Sequence, residues 1–468
     1  MTVADIWAVM PLLIIAVAAM LVLLLGAVVP GRYGTVVGAV ALVGAALWCC
    51  QPSPGGVATS LGLILSPFAR FFTVLFSLSG FLVLLLSHDY NDRRGIRGEE
   101  YPATILFAVF GMAALSAATN LLVLFLGLEG LTFAFYFLVA IDRHRPAAGE
   151  AGLKYLLMGA VAAAFTAFGM ALVYGAGGTL DIVPAMQSLN AGRGNPLFLA
   201  GAGFLLAGIA FKMSLVPAHL WTPDVYEGAP APVTAFLSTA SKGGAVAFLL
   251  LLLSAAGKVG NLRIPLWGLS LLSMVAGNLA ALMQKNLKRM LAYSAIAQMG
   301  YIVLALLAAG QGGEEAVVFY LVAYTAMNLA AFGAVASFSG AQEHESLEDY
   351  RGLGFERPFQ GGVLSLAMFG LAGVPPTAGF IGKFFIFSSA IRGGEIGLAV
   401  IGILTAAVSV YYYLRVVVTL YLRRAEPGSA PCRGTPSERC ALAAAGAVIV
   451  ILGLVPGPLL DMVALLFR

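Results

Sequence analysis

Residues 206–242 read LAGIAFKMSLVPAHLWTPDVYEGAPAPVTAFLSTASK, an apolar run broken by charge and by proline. Lys212 lies inside the first helical stretch, which reaches Pro217 and passes through His219 into a Pro/Gly-rich loop. A second helix starts near Pro232 and carries Lys242, followed by Gly243 and Gly244. A lysine at mid-bilayer costs about 2.5–3.5 kcal/mol on insertion scales. Proline removes a backbone hydrogen bond and frees a carbonyl, which a membrane tolerates only against protein or a wet cavity. Snorkelling relieves a lysine near a helix end. Lys212, however, is far from a membrane start near Leu197, and Lys242 lies about ten residues, roughly 15 Å, into its helix. The run predicts an ion path at an interrupted helix.

The composition sets the context. Of 468 residues, 60% are hydrophobic and only 10% charged, against about 25% charged in soluble domains. This is an all-α polytopic membrane protein. The net charge of +4 comes without a basic run, so nothing points to nucleic acid. The first apolar segment has no charged stretch ahead of it and is long enough to span, so it reads as a span rather than a cleaved signal. Cys49, Cys50, Cys432 and Cys440 have no metal-ligand spacing, and no Gly-rich nucleotide fingerprint follows a strand. The expectation is a chain without cofactor or metal, with any electron transfer lodged in partner chains.

Apolar segments recur at 6–29, 33–50, 66–87, 101–118, 120–141, 150–174, 197–218, 231–256, 264–284, 288–309, 315–340, 358–391, 396–422 and 440–467, about 14 transmembrane helices. A short break at Ser116–Asn120 divides the fourth from the fifth. Loops after odd-numbered spans hold Arg32, Arg93, Arg94, Arg97, Arg143, Arg145, Lys285, Lys288, Arg289, Arg351, Arg357, Arg423, Arg424, Arg433 and Arg439, 15 basic residues. The other side holds five: Arg193, Lys258, Arg263, Arg392 and Arg468. The positive-inside rule puts the odd loops in the cytoplasm and both termini in the periplasm.

A repeat is visible at an offset of 165 positions, carrying Leu206-Ala-Gly208 onto Leu371-Ala-Gly373, which opens LAGVPPTAGFIGKFF. The same offset lays spans 4–8 on spans 9–13. Five helices per unit reverse the orientation, so the units are inverted, and paired broken helices mark a transport site at mid-membrane. The organisation expected is one membrane domain, 1–468. It comprises N-terminal spans 1–3 (1–100), a first inverted repeat (101–256), a second (264–422) and a C-terminal helix (440–467). Spans 7 and 12 are the broken ones.

Few ionisable residues remain inside the spans: Glu129, Lys154, Lys212, Lys242, Lys383 and Arg415, with Arg70 near a helix start. Glu129 stands midway along NLLVLFLGLEGLTFAFYF, where a carboxylate stays charged only beside a cation. A static ion pair is the plain alternative, although apolar side chains would fill such a place at no loss of stability. Buried lysine suits a proton relay because one proton binds or leaves at modest cost. His219, after the interruption, is either a hydrogen-bonded structural residue or the group that brings protons from the cytoplasmic side. Lys154, one turn into its helix, is expected to snorkel. Arg415, among Tyr411, Tyr412 and Tyr413, is expected to pack on the rings. Asp224 and Glu227 are expected in a loop or at a subunit contact.

The stretch FKMSLVPAHLWTPDVYEGAPAPVTAFLSTASK resembles, without a gap, the antiporter-like membrane subunits of respiratory complex I (NADH-quinone oxidoreductase). Trp221-Thr-Pro-Asp-Val225 stands where subunits L and M and the multi-subunit cation/proton antiporters have a WLPDA-like segment, which points to the subunit N branch. The resemblance covers residues 100–468 most clearly and implies two inverted five-helix units. It implies that Glu129 faces Lys212, that Lys242 is the central lysine, and that Lys383 is the far one, where subunit M has glutamate. It sets the counterpart of Lys154 near the glutamate. Where the family often has histidine on the tenth span, in an AYSAIAQMGY-like motif, this chain has Gln298, so a relay there runs through water or His219. The function implied is proton translocation in a bacterial inner membrane. Partners would be subunits M and L, small subunits such as K, and the lipid bilayer. NADH, flavin, iron–sulfur clusters and quinone would all be held by partners. The rival readings are a subunit of a multi-subunit sodium/proton antiporter or membrane-bound hydrogenase, and a scaffold that kept the fold without the pump.

Overall fold

The computed structural model describes residues 3–28, 33–51, 61–191, 195–256, 260–340, 343–423 and 434–467. Arg32, Arg193, Lys258, Arg424, Cys432, Arg433 and Arg468 lie outside the described residues. In chain order the helices are α1 (Val3–Val28), α2 (Tyr33–Cys49), α3 (Pro67–Arg94), α4 (Glu100–Ser116), α5 (Leu121–Val139), α6 (Pro146–Gly177) and α7 (Ile182–Ala191). The first interrupted pair follows as α8 (Pro196–Met213) and α9 (Trp221–Gly228), then α10 (Ala231–Phe236), a π turn (Leu237–Ser241) and α11 (Lys242–Ala256). Next come α12 (Arg263–Leu282), α13 (Leu287–Leu306), α14 (Gly313–Phe338) and the short α15 (Leu353–Glu356). The second interrupted pair is α16 (Pro358–Ala372) and α17 (Ala378–Arg392), followed by α18 (Ile396–Leu422), α19 (Pro436–Leu454) and α20 (Gly457–Ala464).

Among the described residues, eleven helical stretches are long and apolar enough to cross a membrane, and α2, α4 and α16 are shorter apolar helices. The protein is a multi-pass membrane protein. Short polar caps divide the apolar runs. Asn120 separates α4 from α5 by accepting from Val123 N at 2.8 Å, and Asn286 starts α13 through Arg289 N at 3.0 Å. Each cap satisfies a donor that the first turn of the helix leaves open.

Packing repeats across the chain. α4 packs on α5, α5 on α6, α6 on α8, and α11 on both α4 and α8. In the same pattern α12 packs on α13, α13 on α14, α14 on α16, and α18 on both α12 and α16. The deepest layer is the span Ala231–Ala256 together with α14, each 94% buried over its apolar window. Lys242 therefore sits in the middle of protein and has no route to an interface.

Three details differ from the sequence reading. The segment 440–467 is two helices, because Val455 and Pro456 interrupt it. Helix α7 was not expected, and its 10 residues are too short to span. The two interruptions are set by the left-handed residues Ser214 (φ 62°) and Gly373 (φ 83°), 159 positions apart rather than 165. The Leu-Ala-Gly triplets thus stand at different distances from their breaks. Lys212 precedes its break by two residues, whereas Lys383 follows its own by ten.

Candidate functional site

Helix α8 ends because Ser214 turns left-handed, and its last carbonyls need partners other than the next helical turn. The protein supplies them. Leu215 N donates to Ala210 O at 2.8 Å, and Trp221 Nε1 donates to Phe211 O at 3.0 Å. Lys242 arrives from the neighbouring span, one residue beyond the π turn, and its Nζ donates to Met213 O at 3.0 Å. It also donates to Ser214 Oγ at 2.7 Å, which in turn accepts from Thr222 Oγ1 at 2.7 Å. The C-terminal end of a helix carries partial negative charge, so an ammonium is well placed there. Among the described residues no carboxylate pairs with Lys242.

Lys212 occupies the last turn of α8. Its Nζ lies 3.9 Å from Glu129 Oε1 on α5 and donates to Thr132 Oγ1, one turn further along α5, at 2.5 Å. A charge-assisted hydrogen bond would close to about 2.7–2.9 Å, so this pair is held apart. Glu129 Oε1 has no hydrogen-bond donor. The lysine side chain is 3% exposed and the glutamate 25%, so Glu129 opens toward the outer surface of the chain.

The second interruption is built differently. Gly373 closes α16 in the left-handed region that suits glycine, and an added Cβ would lie 3.1 Å from the Lys383 side chain. Lys383 sits on α17, the second half of the same broken helix, and reaches back. Its Nζ donates to Leu371 O at 2.7 Å and to Ala372 O at 3.3 Å. Gln298 on α13 meets it there, donating through Nε2 to Leu371 O at 3.3 Å and to Tyr413 Oη at 3.1 Å. Its Oε1 accepts from Tyr320 Oη at 2.5 Å. A cavity of about 540 Å³ adjoins Lys383, lined by Gly373, Phe380, Phe384, Phe387 and Ile403, with Arg392 also on its wall.

The remaining expected residues fall around this frame. His219 is half-buried on the link between α8 and α9, its carbonyl accepting from Thr222 N at 2.9 Å. Lys154 does not snorkel alone. It pairs with Glu150 at 2.8 Å and with Asp224 at 2.8 Å, which ties α6 to α9. Asp224 and Glu227 also bind Arg289, each at 2.7 Å, so both serve contacts within the chain. Arg415 donates to Leu282 O at 3.3 Å and to Gln284 O at 2.5 Å, closing the end of α12.

One cluster escaped the sequence reading. Glu343, between α14 and α15, is buried and accepts from Lys288 Nζ at 2.6 Å, Arg145 at 3.1 Å, Ala231 N at 2.8 Å and the Tyr90 hydroxyl. Lys288 also donates to Ala229 O at 2.6 Å. Burial alone would raise the Glu343 carboxyl, but the Lys288 ammonium and the bonds from Lys288 and Tyr90 outweigh it and hold it at about 2. The cluster joins five segments far apart in the chain, and nothing local in the sequence marks it. Among the described residues no group of acidic, histidine and cysteine side chains is arranged to hold a metal.

Residues 118–409 match the family model for the NADH:quinone oxidoreductase/Mrp antiporter transmembrane region. The NADH-quinone oxidoreductase subunit N of Geotalea uraniireducens (strain Rf4) is 63% identical over 469 residues, covering 100% of each chain. A chain of respiratory complex I from Thermus thermophilus, solved with bound aureothin, superposes with a TM-score of 0.83 at 37% identity. That match covers 96% of this chain and 98% of the other. A chain of the membrane-bound sulfane sulfur reductase, an archaeal respiratory membrane complex, superposes with a TM-score of 0.86 at 25% identity, covering 99% and 96%.

Proposed function

We propose a function for a chain that belongs to the NADH:quinone oxidoreductase/Mrp antiporter transmembrane family. It translocates protons as the subunit N type of an NADH-quinone oxidoreductase, driven by electron transfer in partner subunits. The observation that carries this is the pairing of each helix interruption with a buried lysine held only by neutral oxygens. A lysine held that way loses its proton without breaking an ion pair, so both charge states fit one geometry.

Glu129 and Lys212 form the switch at one end. At 3.9 Å the carboxylate stabilises the ammonium only in part, while Thr132 holds it in place. Closing the pair favours a charged Lys212, and opening it sends the proton on toward Lys242 and then Lys383. His219 brings protons to the first interruption, and Gln298 orients the second by sharing the Leu371 carbonyl with Lys383. Lys154 serves the frame rather than the path, since its partners are Glu150 and Asp224.

The two units 101–256 and 264–422 act as inverted repeats, a reading supported by their matched packing. Residues 1–100 and 440–467 flank them. The excess of basic residues on odd loops supports a bacterial inner-membrane orientation with both termini periplasmic and the Glu343 cluster cytoplasmic. Membrane-arm partners include the antiporter-like subunits M and L and small subunits such as K, while NADH, flavin, iron–sulfur clusters and quinone belong to partner subunits of the complex rather than to this chain. The half-open Glu129 is one face on which such a subunit would sit.

The test is the double substitution Glu129→Gln with Lys212→Met in the assembled complex, read as proton-gradient formation per NADH oxidised. A switch predicts normal assembly with pumping lost, because no lone charge remains but the proton station has gone. Full pumping by the assembled double variant would reduce the pair to a structural one.

A further inference from the structure

The lysine path contains a gap that the residues discussed so far do not bridge. Gln298 occupies the way to Lys383, and an amide whose oxygen and nitrogen are both engaged takes up no proton. Two phenols neighbour this route, one beside Lys242 and one beside a tyrosine that holds Gln298. Tyr226 on α9 and Tyr324 on α14 are each 0% exposed, and neither hydroxyl has a hydrogen-bond partner among the described residues. Phenylalanine would fill either place without that loss, so a buried unpaired hydroxyl points to a small polar guest such as ordered water.

Their contacts make a line of neighbours. The Lys242 ammonium is 6.0 Å from the centre of the Tyr226 ring. The Tyr226 ring packs on Phe332 of α14, 6.0 Å between ring centres, and α14 also carries Tyr324. The Tyr324 ring is 6.3 Å from that of Tyr320, whose hydroxyl donates to Gln298. Tyr413 accepts from Gln298 on the other side and shares a hydrogen bond with Ser294.

We propose that Tyr226 and Tyr324, bridged by ordered water, carry the proton from the Lys242 interruption past Gln298 to the Lys383 interruption. Each phenol takes a proton on its oxygen from the water nearer Lys242 and releases its own O–H proton to the water nearer Lys383. Only O–H bonds form and break, the phenol ends neutral, and rotation about its C–O bond resets it. This inference rests on the proton-translocation reading above.

The experiment compares Tyr226→Phe, Tyr324→Phe, Lys242→Met and a control, Tyr350→Phe, whose hydroxyl donates to His344 O away from this line. Each variant is purified as the assembled complex, placed in liposomes, and read as protons moved per NADH oxidised. The expected result is a loss of about tenfold or more in pumping for both line tyrosines, with complex yield unchanged and the control unaffected. Undiminished pumping by both phenylalanine variants alongside a dead Lys242→Met overturns the tyrosine bridge and leaves the translocation reading standing. Undiminished pumping by Lys242→Met as well overturns the reading beneath it. If a phenylalanine variant does not assemble, a high-resolution map of the parent complex decides. Water within hydrogen-bond distance of both phenol oxygens is expected, and dry surroundings at both sink the proposal.

Discussion

Lys242 and Lys288 are equally hidden, each with 1% of its surface exposed, and the protein handles their charges in opposite ways. Lys288 is locked to the Glu343 carboxylate at 2.6 Å, in a set where Lys288 and Arg145 face Glu343 and Glu345, so the charges cancel. Lys242 touches a carbonyl and a serine hydroxyl, with no carboxylate on it among the described residues. Burial by itself therefore does not single out a proton station under the proposed function. The counter-charge is the distinguishing feature there: a lysine locked to a carboxylate acts as a staple, and one bound to neutral oxygens is free to change its charge.

The contrast breaks most visibly in assembly. Lys288→Met leaves Glu343 without its nearest counter-charge, and removing one partner of a buried pair costs about 3–5 kcal/mol. The expected outcome is a failure to recover assembled complex from membranes. Lys242→Met strands no carboxylate, so it is expected to assemble at parental yield while pumping stops. Assembly of both variants at equal yield would erase the distinction.

Acid sharpens it on a smaller scale. The Glu343 carboxyl is held at about 2 in the fold, against an ordinary 4.5. Its folded value is depressed, so its stabilisation is complete above pH 4.5 and drains away as pH falls toward 2. That shift corresponds to about 3 kcal/mol. Thermal melting of the purified complex should show the parent's advantage over the double variant Glu343→Gln with Lys288→Met shrinking below pH 4.5. An advantage that is the same at pH 6 and pH 3 would remove Glu343 as its source.

The smallest effect belongs to the half-exposed pairs. Lys154→Met breaks contacts to Glu150 and Asp224, but the lysine side chain is 43% exposed and Asp224 keeps Arg289. Such pairs are worth about 0.2–1 kcal/mol. Pumping within the error of the parent, with a barely lowered melting temperature, is the expected outcome. A dead pump would bring Lys154 back into the path.

The sequence by itself determined the membrane class, because hydrocarbon core length fixes the length of an apolar run whatever its neighbours do. It also singled out the lysines on which the proposed function rests. An apolar helix carries Lys212, Lys242 or Lys383 only at a cost that shows in one dimension, and Pro217 and Pro375-Pro376 betray the interruptions in the same way. Tertiary structure alone decided which partner each charge has. Lys288 reads as a loop lysine and Lys242 as a span lysine, yet both are buried, and their partners come from 55 and 29 positions away. The placing of the breaks was likewise beyond the sequence, since Ser214 turned left-handed where no glycine announced it. Whether a buried hydroxyl is paired, as in Tyr320, or unpaired, as in Tyr324, depends on which side chains the folded helices bring to face it. Desolvation can be read from a single segment, whereas compensation needs two segments brought together.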